Sequence, residues 1–232
     1  AAVPNDDGPH PLGGASYNLF ADNLVSGNSF IGINAGNPGS VGNKYFGNAV
    51  GVAADGVTPL GNRLWGVSMV QNGATQESEG TVIGSQGFGD GNTIAFNGAA
   101  GISLLSEDHC RIEGNTIFEN QGAGVEVDDS SNTIIAANRI RDNSYAGVSL
   151  SGGSRQTRIS DNKIDANNYA GVSVYGGATV QHTLSENSIY GNGQLGIDLG
   201  YGGNTELSAP VIRRFDLAAG SASGTACANC RV

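Results

Sequence analysis

Acidic side chains with the spacing of a catalytic site lie near the middle of the chain. Glu126, Asp128 and Asp129 fall within four residues, with His109 before them and Arg155 after them. Paired carboxylates hydrolyse glycosides when they are about 5 Å apart in retaining enzymes or about 6.5–9.5 Å apart in inverting enzymes. A His or Arg beside acids would instead suit a lyase or an epimerase, which removes a proton from a uronate. These five residues form the candidate catalytic set.

Two tyrosines, Tyr145 and Tyr169, occupy equivalent positions, each two residues before a glycine in consecutive segments of similar sequence. Stacked aromatic rings stabilise a fold, and an exposed pair also offers a platform for a sugar ring. The sequence favours the stacking role and leaves ligand binding as the alternative.

The three cysteines do not match a metal site. A zinc site needs four ligands, and Cys227 and Cys230 form a lone close pair, so we favour a disulfide in an exported protein. Cys110 is in register with Thr133, Thr157 and His182 of later segments, which predicts a small inward side chain and not a nucleophile. His182 is therefore expected in a turn or in the core. We expect no metal and no cofactor.

The elements that would position these residues are copies of one repeat between residues 92 and 200. Each copy reads Asn-x-Ile-x-x-Asn and is followed by a glycine and an alternating triplet such as Gly124-Val-Glu-Val. The intervals between successive first asparagines are 23, 23, 24 and 25 residues. A short, steady period of this kind indicates a solenoid.

Each period holds three short apolar segments separated by Gly and Asn. The triplets alternate apolar and polar residues, which is the two-residue rhythm of a strand with one buried face. Three strands per period leave no room for a helix. The sequence therefore predicts an all-β fold, a parallel β-helix of about eight coils in which successive coils are about 4.8 Å apart.

The repeated asparagines predict two internal ladders. A stacked Asn tolerates a left-handed turn and can bond its amide to the Asn above and below. We predict a first ladder of Asn92, Asn115, Asn138, Asn162 and Asn187, and a second of Asn97, Asn120, Asn143, Asn167 and Asn192.

Earlier copies are more degenerate. Asn23 and Asn28 are expected to begin the first repeat, and Asn43 and Asn48 the second. Residues 55–62 are interpreted as an insertion loop because their Asp-Gly and Pro residues suit a turn.

The repeat resembles the right-handed parallel β-helix repeat family, the fold of pectate-lyase-like enzymes, phage tailspikes and many bacterial surface proteins. The resemblance covers roughly residues 18–204 and implies a fold that hosts unrelated activities. It also implies that polysaccharide, in the enzymes, binds along the outer face of the glycine-triplet strand. The arginine and calcium-binding carboxylates of those enzymes have no match here.

In such a stack, carboxylates on neighbouring coils lie about 5 Å apart and those two coils apart about 10 Å. These separations fall near the windows for glycoside hydrolysis, so a site at Glu126, Asp128 and Asp129 is geometrically feasible. An ion-pair row of acids and arginines is the structural alternative, and we favour it. The outward residues of the triplet row are Ser68, Ser103, Glu126, Ser149, Ser173 and Asp198.

The ends of the chain lack the repeat. Residues 1–17 are predicted to be an N-terminal linker or cap, 18–204 the β-helix, and 205–232 a C-terminal cap or the start of a following β-sandwich. We expect the chain to be part of a longer polypeptide or an assembly.

Composition limits the class of protein. The net charge of −10, with Lys44 and Lys163 as the only lysines, argues against nucleic acid as a partner. No apolar run is long enough to span a membrane. The favoured function is a non-catalytic, extracellular or cell-surface module, a scaffold, adhesive surface or assembly subunit that contacts polysaccharide or other surface proteins. The alternative is a carbohydrate-active enzyme, a polysaccharide lyase, epimerase or glycoside hydrolase.

Overall fold

A computed structural model describes residues 4–36, 39–70, 80–85, 91–205, 211–216 and 221–225. Short strands dominate this part of the chain. In chain order the coils contain β1 Leu19–Ala21, β2 Leu24–Val25, β3 Ile33–Asn34; β4 Lys44–Phe46, β5 Ala49–Val50, β6 Val67–Val70; β7 Val82–Gly84, β8 Thr93–Ala95, β9 Ile102–Leu105; β10 Arg111–Glu113, β11 Thr116–Phe118, β12 Val125–Asp128; β13 Ile134–Ala136, β14 Arg139–Arg141, β15 Val148–Ser151; β16 Arg158–Ser160, β17 Lys163–Asp165, β18 Val172–Tyr175; β19 Thr183–Ser185, β20 Ser188–Tyr190 and β21 Ile197–Gly200.

Every third strand belongs to the same parallel sheet. The first sheet runs from β1 to β19, the second from β2 to β20 and the third from β3 to β21, and each contains seven strands within the described residues. The register joins equivalent positions of successive repeats, as in Ile112 to Ile135 to Ile159. The predicted parallel β-helix with three short strands per coil is therefore confirmed, and its seven described coils are close to the eight expected.

The core consists of aliphatic side chains stacked coil upon coil. Ile112, Ile117 and Val125 point inward from the three strands of one coil, and each is 0% exposed. Burying an aliphatic side chain of this size contributes about 1.5–3 kcal/mol. Close packing requires the glycine before the third-sheet strands of the inner coils, since a Cβ on Gly101 would lie 2.7 Å from Cγ2 of Ile117.

Both asparagine ladders are present, and each runs through seven coils of the described chain. In the first ladder, Oδ1 of Asn138 accepts hydrogen bonds from the backbone N and the side-chain Nδ2 of Asn115, at 2.9 and 3.0 Å. Its own Nδ2 donates to the Ile112 carbonyl at 2.8 Å and to Asn162 Oδ1 at 3.0 Å. The predicted ladders are extended by Asn23 and Asn48 in the first and by Asn28 and Asn62 in the second.

The predicted alignment of the second coil was wrong by one position. Asn48 belongs to the first ladder and Asn62 to the second, whereas Asn43 precedes β4 and accepts a hydrogen bond from Asn18. The five-residue spacing from Asn43 to Asn48 imitates the ladder spacing. The insertion loop therefore lies between the two ladder residues of one coil, and its predicted last residue, Asn62, is part of the stack.

The chain ends carry further structure. The segment before β1 reaches the third sheet, because Gly8 N donates to the Gly32 carbonyl and Asn34 N to the Pro9 carbonyl. After β21 come a short 3-10 helix, η1 Gly203–Thr205, and an antiparallel pair, β22 Val211–Asp216 and β23 Ser221–Thr225. The functions proposed for residues 1–17 and 205–232 stay predictions, and Cys227 and Cys230 lie outside the described residues.

The ladder leads to a stability prediction. Replacing Asn138 by Ala removes the acceptor of two buried donors on Asn115 and the donor to Ile112. We expect a loss of about 3 kcal/mol in the free energy of unfolding, because buried polar groups would be left without partners.

Chemical denaturation measures this loss, and Asn168→Ala is the matched control, since Asn168 is an exposed turn residue one position after the second ladder. We expect the control to change stability by less than about 0.5 kcal/mol. Equal effects of the two substitutions would contradict the importance of the ladder.

Candidate functional site

The outer face of the third sheet brings the predicted triplet row into vertical register. The register joins Ser68, Ser103, Glu126, Ser149, Ser173 and Asp198 on successive strands. Ser103 and Ser173 are only 6% and 4% exposed, so these small side chains are almost fully covered. The row is called the third-sheet furrow below.

Glu126 lies in the furrow between two serines, and its surroundings raise its pKa. Its Oε2 accepts a hydrogen bond of 3.3 Å from Ser103 Oγ. Partial burial, reinforced by the nearby charge of Asp128, raises the pKa of Glu126, although the Ser103 hydrogen bond opposes the shift. Asp128 is two residues further along the same strand and therefore on the same side, about 7 Å away between Cα atoms.

The other members of the candidate catalytic set are at the turn that follows the third sheet. Asp129 is exposed and accepts a hydrogen bond of 3.1 Å from Ser106. His109 is exposed in a left-handed turn conformation, and Arg155 pairs through its backbone with Ser131 and Val180. Among the described residues, neither His109 nor Arg155 makes a side-chain hydrogen bond or salt bridge. The structure therefore brings Glu126 and Asp128 to one face and leaves the other three at its edge.

The tyrosine pair stands at the opposite edge of the furrow. The rings of Tyr145 and Tyr169 stack with centroids 4.9 Å apart and planes 9° apart, and Tyr145 is 43% exposed. The Tyr169 hydroxyl donates a hydrogen bond of 2.9 Å to Asp198, and this bond raises the pKa of Tyr169. The pair is therefore stacked, as predicted, with Tyr145 exposed and Tyr169 partly exposed beside the furrow.

A second aromatic pair was missed by the sequence analysis. Tyr175 and Tyr201 have ring centroids 4.7 Å apart, tilted by 45°, and are 51% and 77% exposed. Tyr175 is the outward residue at the end of β18, so the alternation of Val172-Ser-Val-Tyr could have identified it. Tyr201 follows the last repeat, where the sequence pattern no longer indicates a position.

The arginines that form ion pairs lie away from the furrow, whereas Arg155 stands at its edge without an ion-pair partner in the part of the chain that the structure describes. The arginine ion pairs among the described residues are Arg111 with Glu113 at 2.5 Å, Arg139 with Asp165 at 3.8 Å, and Arg141 with Asp142, all involving strands of the first or second sheet. The seven strands of the third sheet contain no Lys or Arg. The predicted ion-pair row of acids and arginines is therefore absent from this face within the described chain, and its electrostatic character is acidic.

Comparison with known proteins identifies the family. The sequence matches the family described as "Right handed beta helix region" over residues 70–182 and 152–232. The chain belongs to this family. A search of curated proteins finds no match.

Solved structures similar to this β-helix protein include two epimerases. One is the periplasmic alginate epimerase AlgG, with 19% identity, a TM-score of 0.66, and coverage of 79% of this chain and 43% of that one. Another is the A-module of the Azotobacter vinelandii mannuronan C-5 epimerase AlgE4, with 20% identity, a TM-score of 0.61, and coverage of 79% and 50%. At these identities the similarity shows the fold, and the chain spans half or less of either neighbour.

No part of the described chain forms a helix long and apolar enough to cross a membrane.

The position of Glu126 predicts a pH-dependent stability. Because its folded pKa is raised, the stability linked to this group is fully present below the unfolded pKa and is lost as pH rises through the folded value. Glu126→Gln removes this titration. The melting temperature of the variant, measured relative to that of the unsubstituted protein, should therefore rise as the pH increases from 4 to 7. Calorimetry at a series of pH values tests this.

The control is Glu186→Gln, which replaces an exposed glutamate at a turn. If the melting-temperature difference for Glu126→Gln were the same at pH 4 and pH 7, the inferred burial of the carboxylate would be incorrect.

Proposed function

We propose that the third-sheet furrow binds a neutral polysaccharide, and that the protein is an extracellular or cell-surface module that presents this binding face on a rigid rod. The observation that carries the proposal is the partly exposed Tyr145–Tyr169 stack, which is joined by a hydrogen bond to Asp198 in the furrow. The epimerases with similar folds, one of them described as periplasmic, act on polysaccharide and support an extracytoplasmic carbohydrate function.

The two aromatic pairs supply apolar ring surface and polar hydroxyl groups at the edge and the end of the furrow. Exposed tyrosine rings suit the apolar faces of sugars, while their hydroxyl groups remain available to solvent or to a carboxylate. Tyr145 and Tyr169 are fixed by stacking and by Asp198, so little conformational freedom is lost when a sugar binds. Preorganised rings on one side and the Tyr175–Tyr201 pair at the end of the furrow favour a glycan over a protein partner.

The charge of the furrow selects between glycan classes. Glu126, Asp128 and Asp198 accept hydrogen bonds from sugar hydroxyls, and charge-assisted hydrogen bonds of this type are stronger than neutral ones. A uronate chain such as mannuronan carries a negative charge on each residue and would be repelled from a face whose strands lack Lys and Arg. The proposed ligand is therefore neutral, which sets it apart from the alginate and mannuronan named for the epimerases of similar fold.

Binding is tested by replacing both rings. We expect Tyr145→Ala combined with Tyr169→Ala to weaken binding to neutral polysaccharides by roughly tenfold or more, since each aromatic contact contributes about 0.5–1.5 kcal/mol. Affinity electrophoresis in gels that contain neutral or uronate polysaccharides measures the effect.

The matched control is Tyr190→Ala, which removes another exposed tyrosine from the second sheet. Unchanged retardation of the double variant in neutral gels, or stronger retardation of the unsubstituted protein by uronate gels, would refute the proposal.

Hydrolysis is a second candidate function because Glu126 and Asp128 have the properties of an acid and base pair. Their Cα atoms are about 7 Å apart on the same side of one strand, a placement that allows the two carboxyl groups to adopt the separation of about 6.5–9.5 Å used by inverting enzymes. The raised pKa of Glu126 suits a general acid, which must be protonated, and Asp128 would activate the water.

In this candidate function, the rate should fall as pH rises above the pKa of Glu126, since the acid is then ionised. Glu126→Gln should lower the rate of hydrolysis at least about a hundredfold, while binding persists. Proton NMR of the first product formed from neutral oligosaccharides detects the inverted anomer. Retention of full activity in the Glu126→Gln variant would eliminate this assignment.

A further inference from the structure

An open cavity of about 380 Å³ lies on the turn between the second and third sheets, beyond the edge of the furrow where Tyr145 stands. Its volume is within the range of about 300–1,000 Å³ that is typical of small-molecule sites. The lining residues come from three successive coils and from the insertion loop. They are Pro59, Phe96, Glu119, Gln121, Asp142 and Ser144.

The insertion loop gives the cavity a wall that the other coils lack. In the other coils the second ladder asparagine follows the first by five positions, but Asn62 follows Asn48 by 14 positions. The extra residues fold back through an antiparallel bridge between Val52 and Pro59, closed by a 2.8 Å hydrogen bond from Ala53 N to the Thr58 carbonyl. The loop is thus held in place by its own hydrogen bonds.

Phe96 supplies the aromatic surface of the cavity. It packs edge to face against Phe118, with centroids 5.4 Å apart and planes 79° apart. Phe118 is 9% exposed and lies under the Arg141 guanidinium, which is 4.7 Å from the ring centroid. Because Phe118 is anchored in this way, the partly exposed ring of Phe96 has a fixed orientation.

Polar groups face the same space in two vertical pairs. Glu119 and Asp142 precede second-ladder asparagines on adjacent coils, and Gln121 and Ser144 follow them, so each pair is separated by about 4.8 Å. Asp142 forms an ion pair with Arg141, which neutralises part of the negative charge. The cavity therefore offers carboxylate acceptors, an amide and a hydroxyl beside an aromatic ring.

We propose that this cavity is a second saccharide site, which binds a single neutral sugar ring through Phe96 and the four polar side chains. The amide and hydroxyl groups of Gln121 and Ser144 both donate and accept hydrogen bonds, and Glu119 accepts them from vicinal hydroxyl groups. The insertion loop determines the size of the sugar by closing one side. This site is independent of the furrow and does not rely on the Tyr145–Tyr169 stack.

Residue-resolved NMR of the whole chain tests the proposal. Neutral hexoses, N-acetylhexosamines and their disaccharides are titrated into ¹⁵N-labelled protein, with hexuronates and Ca²⁺ as separate titrations. We expect neutral sugars to shift the amide signals of residues 119–121 and 142–144. Phe96→Ala and Gln121→Ala should each weaken this binding by at least about fivefold, which corresponds to about 1 kcal/mol.

Asn168→Ala is the control, because Asn168 holds the same turn position as Gln121 and Ser144 but lies outside the cavity. It should leave the affinity unchanged, as should Tyr169→Ala, which disrupts the tyrosine stack of the furrow at a residue that is not next to the cavity lining. Thermal melting of Gln121→Ala confirms its folding, since Gln121 is exposed.

Three results would overturn the proposal. They are no shift with any neutral sugar at millimolar concentration, unchanged affinity in both cavity variants, or shifts at these residues with Ca²⁺ alone. Shifts confined to residues near Tyr169, Tyr175 and Asp198, with none at residues 119–121, would support the furrow and refute the cavity.

Discussion

The hydrogen bond from one coil to the next is the interaction on which the structure depends. Within a coil the strands have two to four residues, too few to be stable alone, so their backbone groups are satisfied only by the coil above and the coil below. The asparagines add a side-chain copy of the same bond at both corners of the second sheet. Because Oδ1 of each ladder residue accepts two donors from its neighbour, as Asn138 does from Asn115, a shift of one residue would break several buried bonds at once.

This constraint explains why the fold could be predicted from the sequence. The asparagine at the ladder position, the isoleucine two residues later and the glycine before the third strand each have one physical role, so their recurrence indicates the stack. The exception, Asn43, is instructive: Asn18 and Asn43 form their own side-chain bond at another corner, and their residue type is the same as that of the ladders. In later coils the position of Asn18 and Asn43 is held by Thr81 and Cys110. The residue type alone could therefore not distinguish this row from the two asparagine ladders.

The candidate sites were harder to predict because they depend on side-chain directions and loop contacts. The repeat predicted the vertical row that contains Glu126 and Asp198, and the equivalence of Tyr145 and Tyr169. It did not predict the hydrogen bond from the Tyr169 hydroxyl to Asp198, since that bond joins residues that are 29 positions apart in sequence and lie on adjacent coils. The repeat also did not predict the cavity beside Phe96. The coils that the insertion loop covers are determined by how the loop folds, and its length in the sequence does not reveal this.

The fixed step between coils has a geometric consequence for the spacing of the furrow and the cavity. Every coil contacts only its neighbours, so a whole repeat of 23–25 residues can be added or removed without changing the pattern of bonds on either side. Each such change moves the surfaces above it by one increment of about 4.8 Å along the rod axis. Inserting or deleting whole repeats therefore changes the distance between two surface features of the β-helix only in steps of this fixed size.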